Sequence, residues 1–360
     1  MKIRKLLAVS VLLPCISGNV QATTYQLPEN PNDTVITQYP NKMALERAEL
    51  DETLLDVALR NTLGQNEIVR LNPKLDRWEI KKGEMVKLAN KRILPDTPHK
   101  GITLNISEFR MYQYPANQPG MVMSYAHGIG RQDWKTPLGE TKIVRKVKDP
   151  SWHPPESIRA EHAANGDPLP EVVLPGPHNP LGAHALYLNL PGEYRIHGTD
   201  IDKIFGIGMQ ITHGCVRMYP EDIAQLFNSV DVGTPVYLVK QPIKVGWLDN
   251  TLYIEAHPDL QGEEISDDQR HEDAFKLIQK ATQQETPEID QKALSQALKE
   301  LTGDPVAIYE GVPPSLETTT PEASISRPVE DIQIPDETLK PEPMSEPVRK
   351  GSPDGYYHGG

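Results

Sequence analysis

The sequence predicts a mainly β protein: one central β domain, preceded by a small α/β module and followed by a hairpin with helices. From Gly101 onward, apolar and polar residues alternate with the period of two that is typical of half-buried strands. Before Gly101, apolar residues fall at helical spacing in two short segments. After residue 311, Pro, Glu, Ser and Thr dominate, a composition that cannot bury enough apolar area to offset its ordering entropy.

Residues 1–22 have the three parts of a secretory signal peptide. A short cationic start precedes an apolar run, and small residues then stand where a signal peptidase reads, so cleavage is predicted after Ala22. A membrane anchor is the alternative, but the run is too short to span a bilayer and no later stretch approaches that length. Cys15 would permit lipidation, although Pro14 before it fits a lipidation site poorly. The chain is therefore expected to be exported as a protein without a membrane span.

Charge and cysteine content narrow the classes of function. Loss of the signal would leave 34 basic residues against 50 acidic ones, a formal charge of −16, so a nucleic-acid partner is not expected. The chain has two cysteines, and Cys15 would leave with the signal. The remaining Cys215 cannot form an internal disulfide in an oxidising compartment. It is either a reactive thiol or a buried bystander, and its neighbours must decide between the two.

The region before the central domain divides into a polar, Pro- and Asn-rich linker at residues 23–44 and a compact module at residues 45–95. Its predicted order is strand, helix, helix, strand, over residues 43–48, 54–58, 66–71 and 84–88. The run "NEIVRLNPKLDRWEIKKGEMVKL" resembles a divergent LysM module, a small peptidoglycan-binding fold. A support domain without a glycan site is the alternative.

The central domain is predicted over residues 96–241. Seven segments read as strands: "GITLNIS", "FRMYQYP", "GMVMSYAHGIG", "TKIVRKVK", "HALYLNL", "EYRIHG" and "TPVYLVK". Residues 149–184 are rich in Pro, Gly, Asn and His and too long for a hairpin loop, which indicates a lid or a binding wall. A single helix is predicted at residues 221–228, opened by Pro220.

The region after the central domain is predicted to be a hairpin and two helices at residues 242–311. An Asp-Asn turn closes the hairpin, and amphipathic helices follow at residues 268–283 and 290–301, the second capped by Asp290 and stopped by Gly303. This region is interpreted as a packing appendage. Residues 312–360 are predicted to be a disordered acidic tail, to which no sequence pattern assigns a function.

The stretch "YRIHGTDIDKIFGIGMQITHGCVRMYPEDIAQLF" surrounds the lone cysteine with residues suited to nucleophilic catalysis. A thiol becomes a competent nucleophile as thiolate, which needs a base or positive charge nearby. Backbone N–H groups beside a small residue can form an oxyanion hole. The residues that would supply these elements around Cys215 are His197, Gly198, His213, Gly214 and Arg217.

Two other interpretations of this cluster compete. His197, His213 and Cys215 could ligate a metal, but only three ligands are in reach and a second cysteine pair is missing. All three could instead be structural. A cysteine that follows His-Gly at a turn is an unusual choice for a core, so the catalytic interpretation is preferred.

The motif residues resemble the signature of L,D-transpeptidases with a YkuD-type catalytic domain. In that signature a histidine, here His197, precedes Ser/Thr-His-Gly-Cys by about sixteen residues, and an arginine, here Arg217, follows two positions after the cysteine. The remaining positions of the motif are filled by Thr212, His213, Gly214 and Cys215. Segments "GIGRQDWKTPLGETKIVRKVKDPSWHPPESIRAEHAANGDPLP" and "GPHNPLGAHALYLNL" are similar to the Gram-negative branch that anchors Braun lipoprotein to peptidoglycan. The resemblance covers about residues 45–260, and the acidic tail departs from it.

The resemblance implies a β-sandwich with the cysteine on a loop under a lid. His197 would be the base that takes the Cys215 proton, oriented by the backbone carbonyl of Gly198. His213 would line the site and support the thiolate, and N–H groups of Gly214 and Cys215 would bind the oxyanion. Arg217 would support the site or meet a stem-peptide carboxylate, unless it forms only a structural ion pair. The residues expected to contact substrate are Gly198, Thr212, Gly214 and Arg217.

The resemblance also implies a reaction, a location and partners. In the periplasm, Cys215 would attack the diaminopimelate carbonyl of a peptidoglycan tetrapeptide stem, release D-alanine and form a thioester. An amine would then accept the stem: the C-terminal lysine of Braun lipoprotein or a second diaminopimelate. No metal or organic cofactor would be needed, and carbapenems would acylate the thiol. Two alternatives stay open: an L,D-carboxypeptidase with water as acceptor, and a non-catalytic peptidoglycan-binding module.

Overall fold

The computed structural model describes residues 22–38, 44–192, 194–285 and 287–314. The predicted signal, apart from Ala22, and nearly all of the predicted tail lie outside these ranges, so both stay predictions. Ala22 itself is buried, and its N–H donates to Gln225 Oε1 at 3.1 Å. Among the described residues, none of the helices has the length and apolar character needed to cross a membrane.

Seventeen strands and six helices make up the described part of the chain, with one 3-10 helix at Ile201–Gly206. The strands before the long loop are β1 Thr23–Gln26, β2 Val35–Thr37, β3 Leu45–Arg47, β4 Met85–Lys87, β5 Lys91–Ile93, β6 Gly101–Asn105, β7 Arg110–Tyr114, β8 Met121–Gly130 and β9 Gly139–Lys148. Those after it are β10 His184–Leu188, β11 Arg195–His197, β12 Gln210–Thr212, β13 Val216–Met218, β14 Pro235–Val239, β15 Ile243–Leu248, β16 Thr251–Ala256 and β17 Val306–Glu310. The helices are α1 Leu54–Arg60, α2 Gln65–Leu71, α3 Glu156–Ala164, α4 Pro220–Ser229, α5 Asp267–Thr282 and α6 Gln291–Glu300.

The predicted mainly β fold with a sandwich at its centre is confirmed. Two long strands, β8 and β9, each take part in both layers. One layer has the order β1-β8-β7-β6-β14-β9, and the other continues β9-β10-β11-β13-β8. Strands that pass from one sheet to the other are how a sandwich turns its corners. Inward-facing side chains from both layers form one core, which includes Leu104, Met111, Ile143, Leu186, Ile196, Val216 and Val236.

Residues 23–44, predicted as an extended linker, contain two short strands. Thr23–Gln26 forms β1, which pairs antiparallel with β8, and Tyr25 from this strand is buried. Val35–Thr37 forms β2, which pairs with β5. Strands of three or four residues carry too few positions to show an alternation in the sequence, so their pairing is decided by the neighbouring strands.

The segment from β3 to β4 has the order strand, helix, helix, strand, with β3 and β4 paired antiparallel. Its small core contains Leu54, Val57 and Ile68. A capping box at Thr53 opens α1, since Thr53 Oγ1 accepts from Asp56 N–H and the Asp56 carboxylate accepts in return. The identification of this segment as a LysM module stays a prediction.

Residues 243–310 form a second packed unit of sheet and helices. Asp249 and Asn250 both have positive φ, 48° and 66°, as the tight turn between β15 and β16 requires. Asp290 caps α6 by accepting from two backbone N–H groups, and the helix ends at Leu301, which takes the left-handed conformation ahead of Gly303. The pattern did not predict β17, which pairs with β16.

The expectation of a single helix in the central domain is wrong. The long loop contains α3, and a 3-10 helix precedes the catalytic motif. The loop is closed at its base by a bridge between Trp152 and Val173, and by Asn179, whose buried amide donates to the Pro150 carbonyl at 2.8 Å. It is therefore a folded flap with its own hydrogen bonds, and α3 is the part that faces the site.

Candidate active site

Two parallel strands of the second layer carry the candidate site. In the β11–β13 pairing, Ile196 lies opposite Val216 and His197 lies opposite Arg217. Cys215 comes immediately before β13 and is partly buried. Because alternate residues of a strand share a face, Ile196 and Val216 point into the core while His197 and Arg217 lie on the other face. The fold thus brings together a histidine and a cysteine that are eighteen positions apart.

The backbone just before Cys215 has a conformation that only glycine accepts readily. Gly214 has φ +96°, and a Cβ there would lie 2.8 Å from Tyr194 Cε1. Two buried hydroxyls fix the carbonyls on either side of the bend. Thr136 Oγ1 donates to Gly214 O at 2.9 Å, and Thr212 Oγ1 donates to Cys215 O at 2.6 Å. The cysteine is consequently presented on a rigid turn.

His197 is buried, with only 4% of its surface exposed, and is held by its own backbone neighbour. Its Nδ1 is 2.7 Å from the Gly198 carbonyl, which accepts the Nδ1 proton and leaves Nε2 as the basic nitrogen of the neutral ring. Burial lowers the pKa of His197 to about 3, and the positive charges of Arg217 and Arg195 add to this effect. At neutral pH the imidazole is therefore neutral and able to accept a proton.

Gly198 supports this arrangement because the flap returns directly over it. A Cβ at Gly198 would lie 3.3 Å from Ile223 Cγ2 of α4 and 3.4 Å from Gly182 Cα. Gly182 has φ +63°, and a Cβ there would lie only 3.0 Å from Gly198 Cα. A larger residue at either position would push the flap away from β11.

His213 contacts both the turn after β8 and the flap. Its ring packs edge-on against Trp134, with centroids 5.5 Å apart, and its Nε2 is 3.4 Å from Glu161 Oε2 on α3. Glu161 also accepts two hydrogen bonds from Arg131, at 2.8 and 2.6 Å. The hydrogen bonds from Arg131 lower the pKa of Glu161 to about 2. Burial and the Arg131 charge lower the pKa of His213, against the opposing effect of Glu161.

Arg217 is partly buried beneath the site. Burial lowers the pKa of its guanidinium, while the nearby Asp200 and Cys215 oppose that shift. Its Nη1 lies so close to the 3-10 helix that a Cβ at Gly206 would be 3.3 Å from it. Arg217 interacts electrostatically with both Cys215 and His197, so all three belong to one charged site.

The metal interpretation of the cluster fails on geometry. Among the described residues, the single group of His, Cys, Asp and Glu side chains with ligand atoms close enough to share an ion is Glu108, Glu255 and His257. That group is not part of the candidate site. Lys244 Nζ already lies 2.8 Å from both of its carboxylates, so an ammonium fills the place of a cation.

Three residues at the site were not predicted from the sequence. Thr136 donates to the Gly214 carbonyl, and Glu161 lies close to His213. Tyr194 packs against the bend at Gly214. Thr136 is 78 residues and Glu161 52 residues from its partner, so no local spacing indicates either contact. The length and composition of the loop at residues 149–184 pointed to a lid in the region of Glu161, but not to Glu161 itself.

Comparison with known proteins gives one consistent family. Residues 99–238 match the family model described as the YkuD L,D-transpeptidase catalytic domain. The chain is 34% identical to the probable L,D-transpeptidase YbiS of Escherichia coli K12 over 319 residues, 86% of this chain and 99% of YbiS. It is 32% identical to the probable L,D-transpeptidase ErfK/SrfK of the same strain, over 81% of this chain and 92% of that protein.

A third relative, the probable L,D-transpeptidase YcfS of Escherichia coli K12, is 38% identical over 59% of this chain and 66% of its own length. The similarity to YbiS and ErfK/SrfK extends well beyond the catalytic domain and spans nearly the whole of each relative. Together with the match over residues 99–238, it shows that this chain belongs to the L,D-transpeptidase family and is an enzyme of that family.

Proposed function

We propose that this enzyme transfers peptidoglycan stem peptides by way of a thioester on Cys215. The observation that supports this most directly is the arrangement at β11 and β13: a cysteine on a rigid glycine bend, next to a neutral buried histidine whose Nδ1 is already committed to a carbonyl. This is the arrangement that nucleophilic acyl transfer requires.

In the first step, His197 Nε2 would take the thiol proton as Cys215 Sγ attacks the diaminopimelate carbonyl. Because the pKa of His197 is about 3, its imidazole is neutral in the resting enzyme, and it would take up the thiol proton as the C–S bond forms. The tetrahedral oxyanion would accept from backbone N–H groups at the bend. Gly214 N–H donates to no partner within the described residues. The C–N bond then breaks, the imidazolium returns its proton to the leaving D-alanine amine, and a thioester remains.

In the second step, an acceptor amine would attack the thioester and lose a proton to His197, and Cys215 would regain its proton as the C–S bond breaks. We propose the C-terminal lysine of Braun lipoprotein as acceptor, with the side-chain amine of a second diaminopimelate as the alternative. Water as acceptor would make the enzyme an L,D-carboxypeptidase. Partly buried, Arg217 would support the negative charge near Cys215, and His213 would tie the bend to the flap through Glu161.

The same proposal includes a periplasmic location, with cleavage of residues 1–22, and a peptidoglycan-binding role for the β3–α1–α2–β4 segment. That segment is docked on the catalytic domain at a contact of two glycines. A Cβ at Gly64 would lie 2.9 Å from Gly208 Cα, and Gln65 N–H donates to the Ile207 carbonyl at 2.9 Å. Gly208 stands just before β12, so a bound glycan strand would be held close to the catalytic bend.

The test is a two-step assay on the purified mature chain. Intact mass after incubation with a tetrapeptide stem should show one stem covalently attached, and none on Cys215→Ala. Adding a peptide that ends in lysine should then release a cross-linked product. A wild-type protein that binds wall sacculi but forms no adduct with either a stem or a carbapenem would favour the non-catalytic binding module. Release of free tripeptide alone would favour the carboxypeptidase.

A further inference from the structure

A guanidinium group stands beside the catalytic motif, on the turn that follows β8. Arg131 N–H donates to the Thr212 carbonyl at 2.8 Å, so the backbone of this turn is joined to the motif three residues before Cys215. The turn folds back at Trp134, whose N–H donates to the Arg131 carbonyl at 2.9 Å and whose ring packs against His213. Arg131 is therefore fixed relative to the bend that carries the nucleophile.

The partner of this guanidinium is a carboxylate that belongs to the flap. Arg131 Nη1 and Nη2 donate to the two oxygens of Glu161 at 2.8 and 2.6 Å, the parallel pair of bonds with which an arginine recognises a carboxylate. Glu161 Oε2 is also 3.4 Å from His213 Nε2. The flap thus places a carboxylate against an arginine and a histidine beside the site, in the geometry that a bound carboxylate would have.

Glu161 can be replaced at this place without a large loss of stability. Water screens its pair with Arg131, because both side chains are 33% exposed, so the pair contributes little net free energy. Helix α3, which carries Glu161, buries only Ile158, so little apolar packing holds it down. The hydrogen bonds from Arg131 lower the pKa of Glu161 to about 2, so its carboxylate is charged at neutral pH and competes with any anion that approaches.

We propose that Arg131 binds a carboxylate of the peptide substrate, and that Glu161 occupies this subsite as an internal stand-in while the flap is closed. The proposal rests on the proposed function, in which the substrate is a peptide stem with free carboxylates close to the attacked carbonyl. A substrate carboxylate that replaces Glu161 takes over both hydrogen bonds from Arg131 and frees α3 from the turn after β8. Substrate binding and flap opening are then one event.

Two carboxylates of a tetrapeptide stem can supply this group. One is the terminal carboxylate of the leaving D-alanine, and the other is on the side chain of diaminopimelate. Each belongs to one of the two residues that the attacked peptide bond joins. A guanidinium recognises both with the same pair of hydrogen bonds, so the two sources must be separated by chemical modification of the peptide.

The experiment measures peptide binding to Cys215→Ala protein by calorimetric titration, which needs no turnover. Three tetrapeptide stems are compared: the free acid, the stem that ends in D-alaninamide, and the stem whose diaminopimelate side-chain carboxylate is amidated. The variants Arg131→Gln and Glu161→Gln are made in the same background, so that the donor and its internal carboxylate are removed one at a time.

Each variant has a matched control on the flap. Arg159→Gln removes one positive charge from a side chain that is 37% exposed, close to the 33% of Arg131. Glu171→Gln removes one negative charge, and the Glu171 carboxylate approaches Arg159 only at 3.9 Å. Both controls should bind the three peptides like the Cys215→Ala protein.

We expect the two variants to change binding in opposite directions. Cys215→Ala protein should bind the free acid about threefold more tightly than one of the two amides, as charge-assisted hydrogen bonds on a partly exposed site give. Arg131→Gln should abolish that preference, because the donor is gone. Glu161→Gln should raise it to about tenfold, because the competing carboxylate is gone and the donor remains. The amide that binds less tightly identifies the carboxylate that Arg131 holds.

Loss of the ion pair by itself cannot produce this result. Arg131→Gln and Glu161→Gln break the same pair and should speed hydrogen exchange of α3 alike, so a merely structural pair would shift acid and amide binding in the same direction in both. An acid preference that persists in Arg131→Gln, or that does not increase in Glu161→Gln, would overturn the proposal.

Thioester formation on the protein with Cys215 intact separates this proposal from the proposed function. Opposite effects of the two variants on binding, without a thioester on wild type, would support the carboxylate subsite and contradict the proposed transfer. A thioester on wild type, together with equal binding of acid and amides to every variant, would contradict the subsite alone.

Discussion

At the scale of single residues, the rigidity of the Cys215 bend depends on a hydroxyl that joins two strands. Thr136 Oγ1 donates to Gly214 O and accepts from Gly130 N–H at 3.0 Å. Position 130 has no room for a side chain, because a Cβ there would collide with the Trp134 carbonyl. The end of β8, the Trp134 turn and the Gly214 bend are thus packed backbone against backbone.

Replacing Thr136 by Val keeps the shape of the side chain but leaves Gly214 O and Gly130 N–H without this partner. We expect acylation of Cys215 by a carbapenem to slow by about tenfold, since a small displacement of a nucleophile reduces the rate strongly. Thr136→Ser, which keeps the hydroxyl, should stay near the wild-type rate. The measurement is intact mass against time, with circular dichroism to verify folding. A folded Thr136→Val protein with the wild-type rate would show that the hydroxyl does not position the thiol.

The low pKa of His197 makes a second prediction at this scale. A histidine with a pKa of about 3 stays neutral throughout the range from pH 5 to pH 7.5, so its protonation cannot reduce the acylation rate in that range. We expect the second-order rate constant for carbapenem acylation to show no inflection between pH 5.5 and 7. A fall below pH 6.5 with the slope of a single protonation would mean that His197 keeps an ordinary pKa, and that the burial seen here does not persist in solution.

Thr136 and His197 also show what the sequence can and cannot predict at this scale. His197, Thr212, His213, Gly214, Cys215 and Arg217 lie in one short stretch, so their shared motif points to a single site. Thr136 is an ordinary residue of a Trp- and Pro-containing turn, and its contact with Gly214 exists only after β8 and β13 have paired. Contacts between strands that are far apart in the sequence cannot be predicted from the spacing of residues within a short segment.

At the scale of elements, the flap is held against the site by α3. Glu161 accepts from Arg131 on the loop after β8 and lies near His213 on the catalytic motif. Both side chains of the Arg131–Glu161 pair are 33% exposed, so solvent screening keeps the free energy of this pair small. A weak pair of this kind suits a flap that must open for a bulky substrate.

We therefore expect Glu161→Gln to loosen the flap without unfolding the domain. Hydrogen exchange of the amides in α3 should become faster, while exchange in β8, β10 and β14 stays at the wild-type level. Glu171→Gln is the matched control, because Glu171 lies on the same flap, is 88% exposed and pairs with Arg159 only at 3.9 Å. Equal protection of α3 in Glu161→Gln and wild type would show that other contacts hold the flap closed.

The sequence predicted the longer strands well, but among the strands of three or four residues it predicted β3, β4 and β11 and missed β1, β2, β5, β12 and β13. Strands β6 to β9 and the β15–β16 hairpin have five to ten residues each, enough to show alternation. Strands β12 and β13 have three residues each, so the sequence around Cys215 appeared as a turn. Helix α3 has only one buried residue, Ile158, so its sequence has no apolar stripe from which a helix could be predicted. Its contacts with the rest of the domain include those of Glu161 with Arg131 and His213.

At the scale of the whole molecule, a buried cluster of charges joins three parts of the chain. Lys244 of β15 lies 2.8 Å from Glu108, in the turn between β6 and β7, and 2.8 Å from Glu255 of β16. It also donates to the Ile93 carbonyl of β5 at 2.6 Å, and Glu255 accepts from Ile93 N–H at the same distance. Charge count and composition do not reveal this cluster, since Lys244 is 136 positions from Glu108 and 11 positions from Glu255 in the chain.

The buried charge cluster makes the free energy of unfolding dependent on pH. Burial by itself would raise the pKa of Glu255, but Lys244 and His257 outweigh it and hold the pKa well below its usual range. A second buried carboxylate, Glu67, is likewise held at a pKa of about 2, since Arg92 and Arg110 outweigh the effect of burial. A lowered pKa in the folded state stabilises the protein above the ordinary glutamate pKa of 4.5, and this stabilisation is lost as the pH falls below that value.

Replacing Lys244 by Met removes the cation and leaves two carboxylates in a dry interior, with His257 still in hydrogen-bond contact with Glu255 at 2.7 Å. Breaking a buried pair in this way costs about 3 to 5 kcal/mol of unfolding free energy, whereas removing an exposed ion pair costs less than about 1 kcal/mol. Lys276→Met is the matched control, since Lys276 pairs with Glu272 on the surface of α5 and both side chains are about 60% exposed. Urea unfolding at pH 7 measures both variants.

In Lys244→Met the pKa of Glu255 should rise, because its largest stabilising charge is gone. The variant should therefore lose stability at a higher pH than wild type as the solution is acidified, while the carbapenem acylation rate of the folded fraction stays unchanged, since Lys244 is not part of the site. If Lys244→Met unfolded within about 1 kcal/mol of wild type, the carboxylates would be hydrated or protonated in solution, and the three parts would be held together by apolar packing instead.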